Sequence, residues 1–400
     1  GKNYLKALNN YDVIIKSPGI PFKILPKSVL AKIITQTDIF FDSCPGKIVG
    51  ITGTKGKSTT AALIYKILKE ELKVHPVKFA SQTFNRVNLV GNIGKPVLNL
   101  LFSATPNDVY PAPLAAKGDR VYVYELSSHQ LYNLKKSPQI AVFLNLFAEH
   151  LDYYRNFKEY VAAKANITLH QNKNDYLVFN SEDKIVKEIA KKSKAKKIPI
   201  KGEYYELDKN AARAVGNIFK IPPKVIQKAI REFKYLPHRL ELVGTFKGIT
   251  FYNDALSTIP ETAIFAIKTL GRGVQTIMVG GFDRKIDFKN LSKNILKNKN
   301  IKNVILFPTT GKKIWNDILK LSQGREVPKN FFVDPIRNQR LSNGASIMKD
   351  AVKLAYQYTK KGKICLLSCA STSFSIFRDY KEKGNLFKKY VKKFSHDKNF

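Results

Sequence analysis

The chain alternates short apolar runs with stretches whose apolar residues recur at helical spacing, the rhythm of buried strands separated by amphipathic helices. Lys47-Ile-Val-Gly-Ile51, Val121-Tyr-Val-Tyr124 and Ile140-Ala-Val-Phe-Leu-Asn-Leu146 are runs of the buried-strand type. Helical spacing follows the first of these at Leu63, Ile64, Ile67 and Leu68, and the third at Phe157, Tyr160, Val161, Lys164 and Ile167. A second series starts after Pro237. It predicts strands at Ile249–Tyr252, Thr276–Val279, Val304–Phe307, Phe331–Val333 and Ile364–Leu367, with helical stretches between them such as Pro260–Leu270 and Ala345–Thr359. The expectation is an α/β chain with mostly parallel sheets, divided near Tyr235-Leu-Pro237 where the rhythm restarts. Neither internal repeats nor a low-complexity linker interrupts it.

Length and composition support more than one core. The 400 residues, 44% hydrophobic and 11% aromatic, are ample for two or three domains. Cys44, Cys365 and Cys369 are odd in number and lack metal-ligand spacing, which fits reduced thiols in a cytoplasm. No apolar stretch approaches the roughly 20 residues of a membrane span, so no membrane insertion is expected. The net charge is +38, from 69 basic and 31 acidic residues. That balance invites a nucleic-acid reading, yet the lysines are scattered (Lys187 to Lys201, Lys289 to Lys302, Lys381 to Lys398) and no recognition module accompanies them. A dedicated nucleic-acid function is therefore set aside, and the positive field is taken to attract an anionic substrate.

The candidate chemistry begins at Gly50-Ile-Thr-Gly-Thr-Lys-Gly-Lys57-Ser58-Thr59-Thr60, a glycine-rich turn between a strand and a helix. There backbone N–H groups can wrap a polyphosphate, Lys57 can neutralise its terminal phosphates and the Ser58 hydroxyl can ligate Mg2+. The spacing is unusual, because a standard loop places four residues between its first Gly and Gly-Lys, and Gly50 lies one residue too far away.

Further polar groups follow the other strands, at the carboxyl edge where open α/β sheets bind ligands. Glu125, Ser127 and Ser128 follow Val121–Tyr124, and Glu149, His150 and Asp152 follow the Ile140 run. Glu125 and His150 could share a second Mg2+. Lys164 falls in the middle of an apolar helical stripe. Either its stem snorkels to solvent, or its amine is desolvated, low in pKa and open to modification.

Taken in order, Thr52-Gly-Thr-Lys-Gly-Lys-Ser58, Glu125-Leu-Ser-Ser128, Glu149-His-Leu-Asp152 with Ala163-Lys164, Pro237-His-Arg-Leu-Glu241, Asn253-Asp254 and Leu367-Ser368 through Ser373 resemble the Mur ligase family. The likeness runs from about Tyr11 to the C-terminus and is greatest to the members that join D-glutamate to UDP-N-acetylmuramoyl-L-alanine in peptidoglycan synthesis. The resemblance implies an ATP-dependent, ADP-forming amide ligase working through an acyl phosphate, with two Mg2+ ions, in the cytoplasm and as a monomer. It implies that Gly53, Thr54, Lys55, Gly56, Lys57, Ser58 and Thr59 hold ATP and Mg2+, with Asn210 beside the adenine and Arg239 and Asp254 reaching phosphate and ribose. By the same likeness Ser58, Glu125 and His150 bind metal, and Lys164 carries a carbamate supporting the second ion. Asn92, in Gly91-Asn-Ile-Gly94, and Ser127 would face the nucleotide sugar; Thr258, Arg284, Ser373 and Tyr380 would face the incoming amino acid. The implied architecture has a remnant of an N-terminal Rossmann-like UDP-binding domain (1–36), a central ATP-binding P-loop domain with a mostly parallel sheet (37–236) and a Rossmann-like C-terminal domain (237–400).

Some positions depart from the family pattern. Asp254-Ala-Leu256-Ser-Thr258 lacks the lysine common there, Arg284 stands where lysine is usual, and Leu207 replaces an asparagine. The rival readings are another ligase of the superfamily, folylpolyglutamate synthase included, or a P-loop nucleotide-binding protein without catalysis. Tyr11-Asp-Val-Ile-Ile-Lys-Ser-Pro-Gly-Ile-Pro21 resembles the late part of the N-terminal domain. The expectation is an N-terminally truncated ligase that keeps ATP binding, with affinity for the UDP substrate weak or lost; Val13, Ile14 and Ile15 form a strand and Ser17-Pro-Gly19 its turn.

Overall fold

The computed structural model describes residues 4–102, 120–147, 149, 153–203, 205–234, 236–333, 344–374 and 376–397. The chain forms two compact units that divide between Phe233 and Lys234.

The first unit is built on a six-stranded parallel sheet in the order Lys196–Ile200, Tyr176–Asn180, Ile140–Phe143, Lys47–Thr52, Arg120–Glu125, Arg86–Gly91. The central strand is Lys47–Thr52. From it the chain runs out to Arg86–Gly91, returns through Arg120–Glu125, and crosses to Ile140–Phe143 on the other side. The winding therefore reverses at Lys47–Thr52, and the carboxyl ends of three adjacent strands border one crevice. Side chains alternate between two cores. Val121 and Val123 join Leu63, Ile64 and Ile67 of helix Lys57–Glu71 on one face, while Tyr122 and Tyr124 join Phe40, Leu131, Tyr160 and Ile167 on the other.

The strand from Ile140 ends at Phe143, earlier than the apolar run suggests. Leu144 still bonds across to Thr52, its N–H reaching the carbonyl at 3.0 Å, but Asn145 turns its amide to the glycine-rich loop. Near the N-terminus Ile14–Lys16 pairs in parallel with Ile33–Thr35 as a two-stranded ribbon, one residue later than the Val13–Ile15 strand expected. This ribbon belongs to the first unit, where Phe22 stacks on Tyr132 at 4.6 Å.

The second unit carries a six-stranded mixed sheet in the order Glu241–Phe246, Ile249–Asn253, Ile364–Leu367, Val274–Gly280, Asn303–Phe307, Lys329–Phe332. Only Glu241–Phe246 is antiparallel; it is joined to its neighbour by Lys247 and Gly248, both at positive φ, as a two-residue hairpin requires. Phe251, Met278, Ile305, Cys365 and Leu367 form its core with Ile347 and Val352 of helix Gly344–Tyr358 and Phe387 of helix Tyr380–Ser395. Among the described residues no helix is long and apolar enough to cross a membrane.

Candidate nucleotide-binding site

The loop after the central strand owes its shape to two glycines. Gly53 has φ +153° and Gly56, the N-cap of helix Lys57–Glu71, has φ +87°. Gly50 serves differently. It lies within the strand, where a Cβ would stand 2.6 Å from Pro138 Cγ and 2.9 Å from Leu126 Cδ1. The phosphate-type loop thus runs from Gly53 to Gly56, which accounts for the spacing that failed when counted from Gly50.

The neighbouring strand end holds this loop in place. The Thr54 N–H donates to the Asn145 carbonyl at 2.8 Å, the Lys55 N–H donates to Asn145 Oδ1 at 2.9 Å, and Asn145 Nδ2 donates back to the Lys55 carbonyl at 3.1 Å. Thr54 Oγ1 lies 2.9 Å from the Tyr160 hydroxyl. Lys57 Nζ donates to the Gly53 and Thr54 carbonyls at 3.0 and 2.9 Å. Lys55 Nζ forms an ion pair with Glu149 at 2.8 Å. Ser58 and Thr59, in the first turn of the helix, are buried.

Lys164 lies on helix Phe157–Leu169 and is 1% exposed. That value excludes snorkelling. Its amine donates to the Gly53 carbonyl at 2.8 Å and to Thr52 Oγ1 at 3.3 Å, and sits 5.1 Å from the centre of the Tyr160 ring. Burial holds its pKa well below the ordinary lysine value, and Lys57 pushes it the same way; Glu149 and Glu125 act against them.

A cavity of about 390 Å³ opens at this carboxyl edge. It brings together Lys57, Asn92, Glu125, Ser127 and Lys164. Glu125 is the last residue of its strand, 3% exposed, and its Oε2 has no hydrogen-bond partner among the described residues. Gly91 ends the adjacent strand at φ +105°, where a Cβ would meet the Glu125 carbonyl at 2.5 Å, so the chain reaches Asn92 only through glycine. Ser127 also caps the short helix Ser128–Leu131, its hydroxyl accepting from the Gln130 N–H at 3.3 Å and donating to Gln130 Oε1 at 2.9 Å. Pro18, Gly19, His129, Tyr153 and Tyr160 line the cavity as well, although the sequence did not mark them as site residues. A histidine directly after Ser127-Ser128 was the available signal.

Other expected residues lie elsewhere. Asn210, on helix Tyr205–Ile218, donates from Nδ2 to the Lys201 carbonyl at 2.8 Å and does not line this cavity. His150 and Asp152 lie outside the described residues. In the second unit Asp254 follows a strand end and is buried, with Oδ2 accepting from Ser368 and Oδ1 from the Leu240 N–H. Arg239 and Thr258 are half-buried, and Arg284 is exposed beyond strand Val274–Gly280. Ser373 is buried and its Oγ has no hydrogen-bond partner among the described residues, and Tyr380 opens its helix edge-on to His238 at 5.9 Å.

Residues 51–220 match the Mur ligase middle domain. A UDP-N-acetylmuramoylalanine–D-glutamate ligase of Aquifex aeolicus is 30% identical over 96% of this chain and 89% of its own length. The chain belongs to the Mur ligase family. Another ligase with the same name, from Acetivibrio thermocellus, is 28% identical over 98% of this chain and 84% of its own. Among solved structures, the fold is shared with the MurF ligase of Thermotoga maritima in complex with ADP, with TM-score 0.58 and 17% identity over 98% of this chain and 92% of that one.

Proposed function

We infer that this family member is a MurD-type enzyme, an ATP-dependent ligase that adds D-glutamate to UDP-N-acetylmuramoyl-L-alanine in peptidoglycan synthesis. The observation that carries the reading is the convergence of a phosphate-type loop, a buried carboxylate at Glu125 with an oxygen unpartnered among the described residues, and a buried amine at Lys164 on one cavity. Nucleotide binding alone requires neither of the last two. ATP would lie on the Gly53–Gly56 loop with its terminal phosphates beside Lys57, and Asn92 and Ser127 would orient the sugar nucleotide. The substrate carboxylate takes the γ-phosphoryl group, and the amine of D-glutamate then displaces phosphate to leave an amide. No protein nucleophile is needed, so positioning and charge neutralisation carry the catalysis. Contacts from Arg239 and Asp254 to ATP, and from Thr258, Arg284, Ser373 and Tyr380 to the amino acid, belong to the same proposal.

Mg2+ suits the residues present. Ser58 offers a hydroxyl next to Lys57 and would hold one ion, while Glu125, whose Oε2 has no partner among the described residues, would hold a second together with His150. Each ion supplies neutralisation of phosphate charge. An amine kept low in pKa is available neutral; it can add to CO2, forming an N–C bond and losing a proton, to give Lys164 a carboxylate. We place the enzyme in the cytoplasm, acting as a monomer.

The test is phosphate release with purified protein and ATP. Turnover should require UDP-N-acetylmuramoyl-L-alanine and D-glutamate together, and equal release with either omitted would overturn the reading.

A further inference from the structure

Lys16 ends the strand Ile14–Lys16 and inverts the usual pattern, because the lysine is 3% exposed while its neighbour Ile15 is 62% exposed. Burying a cation and exposing an isoleucine is not a choice that favours stability. Something else must hold the lysine inside, and its contacts show what it does. Nζ donates to the Ser17 carbonyl at 2.9 Å and the Ile20 carbonyl at 2.8 Å, and lies 3.5 Å from the Tyr153 hydroxyl, so each of its N–H groups is directed at an acceptor. It also stands over the Phe22 ring at 4.5 Å. Tyr153 in turn reaches the Pro18 and Ile20 carbonyls at 3.1 and 2.9 Å, and His129 seats edge-on against its ring at 4.2 Å. Pro18, Gly19, His129 and Tyr153 all line the cavity that contains Lys57, Glu125 and Lys164.

We propose that Lys16 is a positioning residue for the sugar-nucleotide substrate, its ammonium clamping the Ser17–Ile20 turn to Tyr153 so that Pro18 and Gly19 form a fixed wall of the cavity. This rests on the ligase reading, in which the space not taken by ATP holds the phosphoryl acceptor. Lys16 touches no reacting atom; it acts through the turn. Burial lowers its pKa to about 8, so the clamp loses its charge in the mildly alkaline range. The titratable groups around it differ in this. Tyr153 is raised to about 12 by burial and Glu159, as is Tyr132, whose hydroxyl bonds Glu159. Thr35, the residue paired with Lys16, caps the next helix, with Asp38 accepting from its N–H, and Lys23 follows Phe22. His129 packs on the Tyr153 ring that Lys16 bonds.

The experiment compares wild type, Lys16→Met and Lys16→Arg in steady-state kinetics from about pH 7 to pH 9, with melting curves at each pH. Lys16→Met should raise KM for UDP-N-acetylmuramoyl-L-alanine about tenfold near neutral pH, leave KM for ATP within about twofold, and melt no lower than wild type. In wild type that KM should climb as pH passes about 8, in Lys16→Met it should stay flat, and Lys16→Arg, which keeps its charge, should restore a low KM without the climb. An unchanged KM for the sugar nucleotide in Lys16→Met, or a rise in both KM values together with a lower melting temperature, overturns the proposal. Failure of wild type to release phosphate with the full substrate set is a different result and rejects the ligase reading itself.

Discussion

Replacing Gly56 by alanine should damage the phosphate-type loop by two separable routes. The residue has φ +87° and ψ −21°, a left-handed conformation that costs an L-residue with a Cβ roughly 1–2 kcal/mol. The new Cβ would also lie 2.4 Å from Asp208 Oδ1 and 3.0 Å from Leu144 Cδ1. Asp208 is buried and its Oδ1 accepts from Thr60 Oγ1 at 2.9 Å, so moving the carboxylate aside breaks a buried hydrogen bond to a charged group, a further loss of about 1.5–3 kcal/mol. Together these give a destabilisation of about 2.5–5 kcal/mol, or on the order of 10 °C in the melting of a domain this size. Thermal unfolding of Gly56→Ala, Asp208→Ala and the double variant measures both parts. If the clash is real, the double variant should fall short of the summed single losses by about 1–2 kcal/mol. Strict additivity, or a loss below about 1 kcal/mol in Gly56→Ala, would refute the assignment of this glycine to both a backbone and a packing role.

Two further outcomes bear on the chemistry. Lys164→Ala should lose at least about a hundredfold in turnover, and short carboxylic acids added to the assay should restore part of it by standing in for the carbamate; full activity in the variant would remove the modified lysine from the mechanism. Arg284→Ala should raise KM for D-glutamate about tenfold while leaving KM for ATP nearly unchanged, because it deletes a charge-assisted carboxylate contact; a change confined to ATP would assign the arginine elsewhere.

How legible a segment was depended on its burial. Lys47–Thr52, Arg120–Glu125 and Ile364–Leu367 are buried along nearly their whole length and announced themselves as apolar runs. Arg86–Gly91 and Glu241–Phe246 are partly exposed edge strands, and their mixed composition gave no such signal. Lys196–Ile200 is also an edge, and its exposed Lys196 and Lys197 read as members of the scattered lysines from Lys187 to Lys201; with Pro199 they protect an open edge from pairing with another strand. Lys164 was legible because a cation in the middle of a helical apolar stripe demands a reason. Lys16 was not, since a lysine after two isoleucines reads as the polar end of a short strand until Tyr153 and the Ile20 carbonyl are seen around it.

The glycine-rich loop shows why spacing in a motif carries less than the reason for each residue. Counted from Gly50 the loop is one residue too long, yet Gly50 is required by Pro138 and Leu126 packing on the strand, and its own backbone conformation is ordinary. Gly53 and Gly56 are required by positive φ, which no alignment of letters distinguishes from close packing. Once the glycines are sorted by cause, the pattern becomes a strand, a four-residue turn from Gly53 to Gly56 and a helix beginning at Lys57. The same sorting explains the location of the cavity. The winding reverses at the central strand, so the loop, Glu125 and Asn145 stand at adjacent strand ends, and Lys164 reaches them from the helix that follows. The convergence is thus a property of strand order, which single-strand patterns in a sequence do not contain.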